Sequence, residues 1–315
     1  MAAQTTSARI GAALRSDSVR VLRQDLTDAG TSLVECREAL ARADAELAEQ
    51  FVGGAAVQDL VIRRACLVDC LLLHLWERHC GGVSEHAALI AVGGYGRCQL
   101  HPASDIDVML LLADDFPERD KSSLSTFLTC LWDLGLDIGH SVRTIEDCEL
   151  EAAADSTIVT TLMETRLLAG PGELLDALQA AVSSEKMWPS DKFFAAKSKE
   201  QRARHLRYDD TAYKLEPNVK GSPGGLRDIQ MIGWVARRHF GVGTFTDLVE
   251  RKFLTPGQAR LLREGQTFLW RVRFGLHLLT GRREDRLLFD HQKSLAEMLG
   301  YEDAVSYTHL RAHET

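Results

Sequence analysis

Apolar and polar positions follow three successive patterns along the 315 residues. From Ser7 to Gln50, Leu, Val and Ala recur at helical spacing between charges, which predicts a helix. Gly53 and Gly54 break it. A second helix is expected from Ala56 to Cys80, with an apolar stripe through Leu60, Leu67, Leu71 and Leu75 and a stop at Gly81-Gly82. The pattern then shortens. AALIAV (Ala87 to Val92) and IDVMLLL (Ile106 to Leu112) are brief apolar runs beside turn residues, and both read as buried strands. The segment between them, rich in Gly, Pro and Ser, reads as a loop.

A helix from Glu118 to Leu134 and a third strand within LDIGHSVRTI (Leu136 to Ile145) follow, the strand's alternation being broken at Gly139. From Ser156 onward the spacing is mainly helical, with long stretches near Asp191–Leu206, Gly225–Phe240, Pro256–Leu279 and His291–Leu299. KLEPNVKGSPGGLRD (Lys214 to Asp228) interrupts them and is too rich in Pro and Gly for a helix interior. The expected fold class is α+β. It divides into an N-terminal helical region (1–60), a strand-bearing domain (61–170), a helical domain (171–304) and an irregular tail (305–315) that reads as a frayed end or a foreign addition.

Charge changes this picture. The formal net charge of −8 argues against a general nucleic-acid binder. From Lys186 to Asp290, however, 21 Lys+Arg stand against 12 Asp+Glu, a balance of +9 that leaves −17 for the rest. An acidic part and a basic part suit an enzyme that holds metal ions with one and phosphates with the other; solvated helix faces would give the same count. The seven cysteines include no CxxC pair and mostly fall in apolar helical patterns, as buried thiols of a cytoplasmic protein would. The first twenty residues lack the apolar core of a signal peptide, and no uninterrupted apolar stretch of membrane-spanning length occurs.

The chemistry concentrates in GGYGRCQLHPASDID, Gly93 to Asp107. Residues two apart on a strand share a face, so Asp105 and Asp107 stand side by side. Two such carboxylates are costly unless a cation lies between them, and Mg²⁺ takes one or two carboxylates together with phosphate oxygens and water. Gly93 and Gly94 let backbone N–H groups approach a phosphate, while Arg97 and Ser104 add charge and a hydroxyl. A glycine hairpin with an exposed acidic end is the plainer alternative. No P-loop occurs, and GGYG does not lead into the helix that a dinucleotide fold requires.

A strand, Gly-Gly, a spacer of about ten residues and D-x-D on the next strand resembles the DNA polymerase β-like nucleotidyltransferase superfamily. The fuller string GGYGR-x-x-L-x-P-x-SDID, together with GHSVRT (Gly139 to Thr144) and KLEPNVKGSPGGLRDIQ (Lys214 to Gln230), resembles the PII uridylyltransferase family. That resemblance implies a polymerase β-like core and transfer of UMP from UTP to a tyrosine hydroxyl of the PII signal-transduction protein. Asp105 and Asp107 would hold two Mg²⁺ ions. It implies a third carboxylate from a later strand, for which Asp137 is the candidate beside Gly139 and His140. Lys214, Lys220 and Arg227 would fold over the nucleotide and contact its phosphates or the protein substrate, unless the segment is an ordinary interdomain loop or Arg227 pairs internally with Asp228. Trp188, Trp234 and Trp270 read as core. None of the eleven histidines precedes Asp, so the hydrolase that usually accompanies this family is not expected here. An adenylyltransferase acting on glutamine synthetase and a non-catalytic nucleotide-binding module remain the rival readings.

Overall fold

Apolar runs with no polar face can be buried only from both sides, and the strands of this chain form one sheet covered on both faces by helices. The computed structural model describes residues 2–29, 32–83, 85–211 and 214–301; the tail 305–315 lies outside them. β1 (Ala87–Ala91) pairs antiparallel with β2 (Ile106–Leu112) and, along its other edge, with β4 (Arg166–Ala169). β3 (Ile138–Thr144) runs parallel to β2, so the order is β3-β2-β1-β4. β4 was not foreseen: four half-buried residues are too few to show a period.

Leu89 of β1 and Val108 and Leu110 of β2 pack with Leu60, Leu67 and Leu71 on one face. Ile90 of β1 and Met109 and Leu111 of β2 pack on the other with Val159, Leu162, Leu178 and Trp234. Each fully buried Leu or Met contributes about 2 kcal/mol, so register is strongly specified. A slip of one residue in β2 would turn Asp107 into the apolar face that the N-terminal helices cover.

The helix expected from Ser7 to Gln50 is three helices, Ala2–Leu14, Asp17–Ala29 and Leu33–Val52. The Ser16 hydroxyl donates to the Ala13 carbonyl at 2.6 Å as the first ends, and Ser32 caps the third by accepting from the Glu35 N–H. Apolar spacing continues through the breaks, which hides them from periodicity. The next helix, Val57–Cys80, runs as expected. Beyond β3 the chain is mainly helical, including Ser156–Met163, Ser190–Arg207, Leu226–Phe240 and Pro256–Thr280. All seven cysteines are free thiols, and among the described residues no helix is long and apolar enough to cross a membrane.

Candidate active site

The segment after β1 is not an open loop. Gly93–Gly96 forms one helical turn, anchored from below by Tyr95, whose hydroxyl donates to Asp69 Oδ1 at 2.6 Å. Arg166 of β4 grips the same carboxylate through Nη1 at 2.8 Å and Nη2 at 2.9 Å. Helix Val57–Cys80, which carries Asp69, also supplies Arg64, which donates to the His101 carbonyl at 3.1 Å. At Gly96 an added Cβ would lie 2.0 Å from the Glu164 carbonyl oxygen, so only glycine lets the turn sit this close to the chain before β4.

This turn, the start of β2 and the segment Lys214–Asp228 meet around a cleft of about 440 Å³. Gly93, Gly94, Arg97, Ser104, Asp105, Asp107, Lys220 and Arg227 all line it, so two motifs more than a hundred residues apart share one site. Asp137 and Lys214 do not line it. Asp137 is exposed and precedes β3 as Asp105 precedes β2, close enough for its charge to act on Asp107. Lys214 pairs with Asp209 at 2.5 Å. Arg227 does not pair with Asp228, which instead takes Arg204 at 2.6 Å and His205 at 3.0 Å. His140 lies against Trp132, ring centroids 5.3 Å apart, on the sheet face opposite Asp107.

Several lining residues carry no signal in the sequence. Glu164 accepts from Arg97 Nη1 and from Trp234 Nε1, and Arg227 lies over the Trp234 ring at 5.1 Å. Trp234 and Trp270 are therefore buried as expected but are also cleft wall. Lys197 and Arg204 come from helix Ser190–Arg207 and Arg273 from helix Pro256–Thr280. They are nearly buried cations that a sequence pattern cannot tell from a solvated helix face.

The two walls carry opposite, unbalanced charge. Lys197, Arg204 and Arg273 have carboxylate partners in Glu200, Asp228 and Asp285. Lys220 and Arg227 have no ion-pair partner among the described residues. Burial lowers both, helped by the neighbouring Arg273 for Lys220 and Arg97 for Arg227. Across the cleft, burial and the adjacent Asp105 push Asp107 up to about 6. Asp105 is met by Arg283 Nη1 at 2.7 Å, whereas Asp107 has no ion-pair partner among the described residues. Opposite Asp107 in β3 stands Gly139, where a Cβ would lie 2.4 Å from Asp107 Oδ1. The carboxylate occupies the space that any side chain at 139 would fill. Among the described residues no group of three or more His, Cys, Asp or Glu converges on one point. A pair of carboxylates beside cations suits Mg²⁺, which completes its shell with phosphate oxygens and water.

Residues 192–313 match the family described as GlnD PII-uridylyltransferase. The chain is 51% identical over 268 residues to the bifunctional uridylyltransferase/uridylyl-removing enzyme of Stutzerimonas stutzeri (strain A1501), covering 85% of this chain and 30% of that protein. It is 50% identical over 257 residues to the enzymes of the same name from Pseudomonas aeruginosa (strain LESB58) and Nitrosococcus oceani, covering 82% of this chain and 29% of each. The chain thus spans about 30% of the length of the curated relatives it matches. Residues 192–313 are thus similar to the GlnD PII-uridylyltransferase family, and the chain as a whole is similar to part of the bifunctional uridylyltransferase/uridylyl-removing enzymes.

Proposed function

We propose that this chain transfers UMP from UTP to a tyrosine hydroxyl of a PII protein, in the cytoplasm, with release of pyrophosphate. One observation carries the chemistry. Half-buried cations without ion-pair partners among the described residues, Lys220 and Arg227, face a half-buried carboxylate likewise without one, Asp107, across a cleft sized for a small ligand. A magnesium–nucleotide complex satisfies both walls at once, with phosphate oxygens on the cations and metal on the carboxylates. The relatives' printed name supports uridylyl as the group transferred.

In this reading Asp105 and Asp107 hold two Mg²⁺ ions, which supply charge neutralisation for the triphosphate and a lowered pKa for the attacking oxygen. Lys220 and Arg227 bind the phosphates and stabilise charge that develops on the leaving pyrophosphate. Ser104, whose hydroxyl is buried without a partner, offers a further donor. The tyrosine oxygen bonds to the α-phosphorus, the bond to the β-phosphate oxygen breaks, and the tyrosine proton passes to water.

Incubation with a PII protein, Mg²⁺ and labelled UTP or ATP tests the reading. Label from UTP on PII is expected, and loss of it in Asp105→Ala. Labelling from ATP alone would overturn the choice of nucleotide, and undiminished transfer by Asp105→Ala would overturn the role of the carboxylates.

A further inference from the structure

We propose that Asp285 is a positioning residue that holds the carboxylate side and the phosphate side of the cleft in register. It lies outside both sequence motifs, in the turn after helix Pro256–Thr280. Its Oδ1 accepts from Arg273 Nε at 2.6 Å, and Arg273 Nη1 donates onward to His101 Nδ1 at 3.2 Å. The same Oδ1 stands 3.5 Å from His277 Nε2. His277 Nδ1 accepts from the Ala103 N–H at 3.2 Å, which leaves its proton on Nε2, facing Asp285. One carboxylate therefore reaches residues 101 and 103, immediately before Ser104 and Asp105. Its backbone carbonyl reaches the other side, accepting from the Val219 N–H at 2.8 Å, next to Lys220.

The connection is buried and charged, so it is stiff. His101 and His277 are 1% exposed and Arg273 7%. Among the described residues, Asp285 is the only carboxylate paired with Arg273. Without that charge Arg273 is a desolvated cation beside Lys220, and the two repel. Relief requires the 101–105 segment, the 219–220 segment or both to move, which changes the distance between Asp105 and Lys220.

The kinetic effect rests on the uridylyl-transfer reading, so the test pairs kinetics with a readout free of chemistry. Asp285→Asn preserves shape and the backbone bond to Val219 but removes the charge. With a PII protein, Mg²⁺ and UTP, it is expected to lower kcat at least about tenfold while the circular dichroism spectrum is retained, since small misplacements in an active site cost up to about a hundredfold. The Asp285→Asn/Lys220→Ala double variant should be within about twofold of Lys220→Ala alone, because residues acting as a unit are non-additive. Amide exchange in segments 101–105 and 218–220 should quicken in Asp285→Asn and stay unchanged in helix Leu33–Val52. Unchanged kcat, multiplicative losses in the double variant, or unchanged exchange in both segments would each overturn the positioning role. An inactive wild type whose two segments still loosen together in Asp285→Asn would sink the uridylyl-transfer reading and leave the coupling standing.

Discussion

The two walls of the cleft are built in different ways. The carboxylate wall is local: Gly93, Gly94, Asp105 and Asp107 lie within fifteen residues, on one turn and at the start of one strand whose register is held by buried Leu, Ile and Met. The cationic wall is assembled from Lys197, Arg204, Lys220, Arg227 and Arg273, which come from three helices and a Pro- and Gly-rich segment. Four of them have their own support, Lys197 from Glu200, Arg204 from Asp228, Arg273 from Asp285 and Arg227 from the Trp234 ring. A strand sets the spacing of its side chains by itself, whereas cations from separate helices converge only if carboxylates hold them together. Mutations in the first wall should thus remove chemistry and spare the fold. Mutations in the supports of the second should damage both.

Asp107→Asn gives the largest expected effect. Loss of the proposed metal carboxylate should lower transfer about a thousandfold, or ~4 kcal/mol of barrier, in a labelled-UTP assay. Thermal unfolding without metal should be unchanged or slightly higher, because burial and Asp105 already disfavour the Asp107 charge. A large fall in Tm would break the contrast between the walls. Glu164→Gln is the opposite case. It leaves Arg97 without its counter-charge and should cost about 2 kcal/mol in urea unfolding, as well as weakening UTP binding. Stability close to wild type would show that Arg97 does not depend on that carboxylate.

The pH dependence of stability tests the cationic wall's supports. Burial, then Arg273, holds His101 well below its ordinary 6.5. Working against burial, the nearby His277 together with the charge and hydrogen bond of Arg273 holds Asp285 well below its ordinary 3.8. In each case the unfolded chain binds the proton first, so stability is present above the ordinary value and is lost as pH falls below it. Tm should decline below about pH 4, and Asp285→Asn should make that decline shallower, the remainder coming from Asp228, Asp147 and Asp155. Near pH 6 the loss at His101 is offset in part by Asp107, whose raised value of about 6 acts in the opposite direction.

Smaller effects sharpen the comparison at its edges. Arg283 competes with any cation for Asp105, so Arg283→Gln should bind Mn²⁺ up to about fivefold more tightly by electron paramagnetic resonance, the limit set by an exposed pair worth about 1 kcal/mol. Weaker binding would mean that Arg283 supports the metal instead. Lys214→Ala should change KM for UTP less than about twofold, since surface substitutions away from a site are nearly neutral. A tenfold rise would bring Lys214 back into the phosphate wall.

What the sequence alone determined is what short-range geometry controls. Short apolar runs placed β1 and β2 and an interrupted alternation placed β3, and the D-x-D spacing brought Asp105, just before β2, and Asp107, within it, to one cleft. The glycines and cations of Lys214–Asp228 marked a second candidate segment, and Lys220 and Arg227 line the cleft. Lys214, in the same string, does not, because proximity in sequence along an irregular segment says nothing about direction. Breaks between the N-terminal helices stayed hidden because Ser16 and Ser32 act through hydrogen bonds and not through apolar spacing. Only the tertiary structure decided that Glu164 and Trp234 brace Arg97 and Arg227, that Gly139 makes room for the Asp107 carboxylate, and that Asp285 stands between the two motifs. Each of these depends on a charge or a gap meeting a partner many residues away, and burial raises the strength of that pairing only after the helices have closed around it.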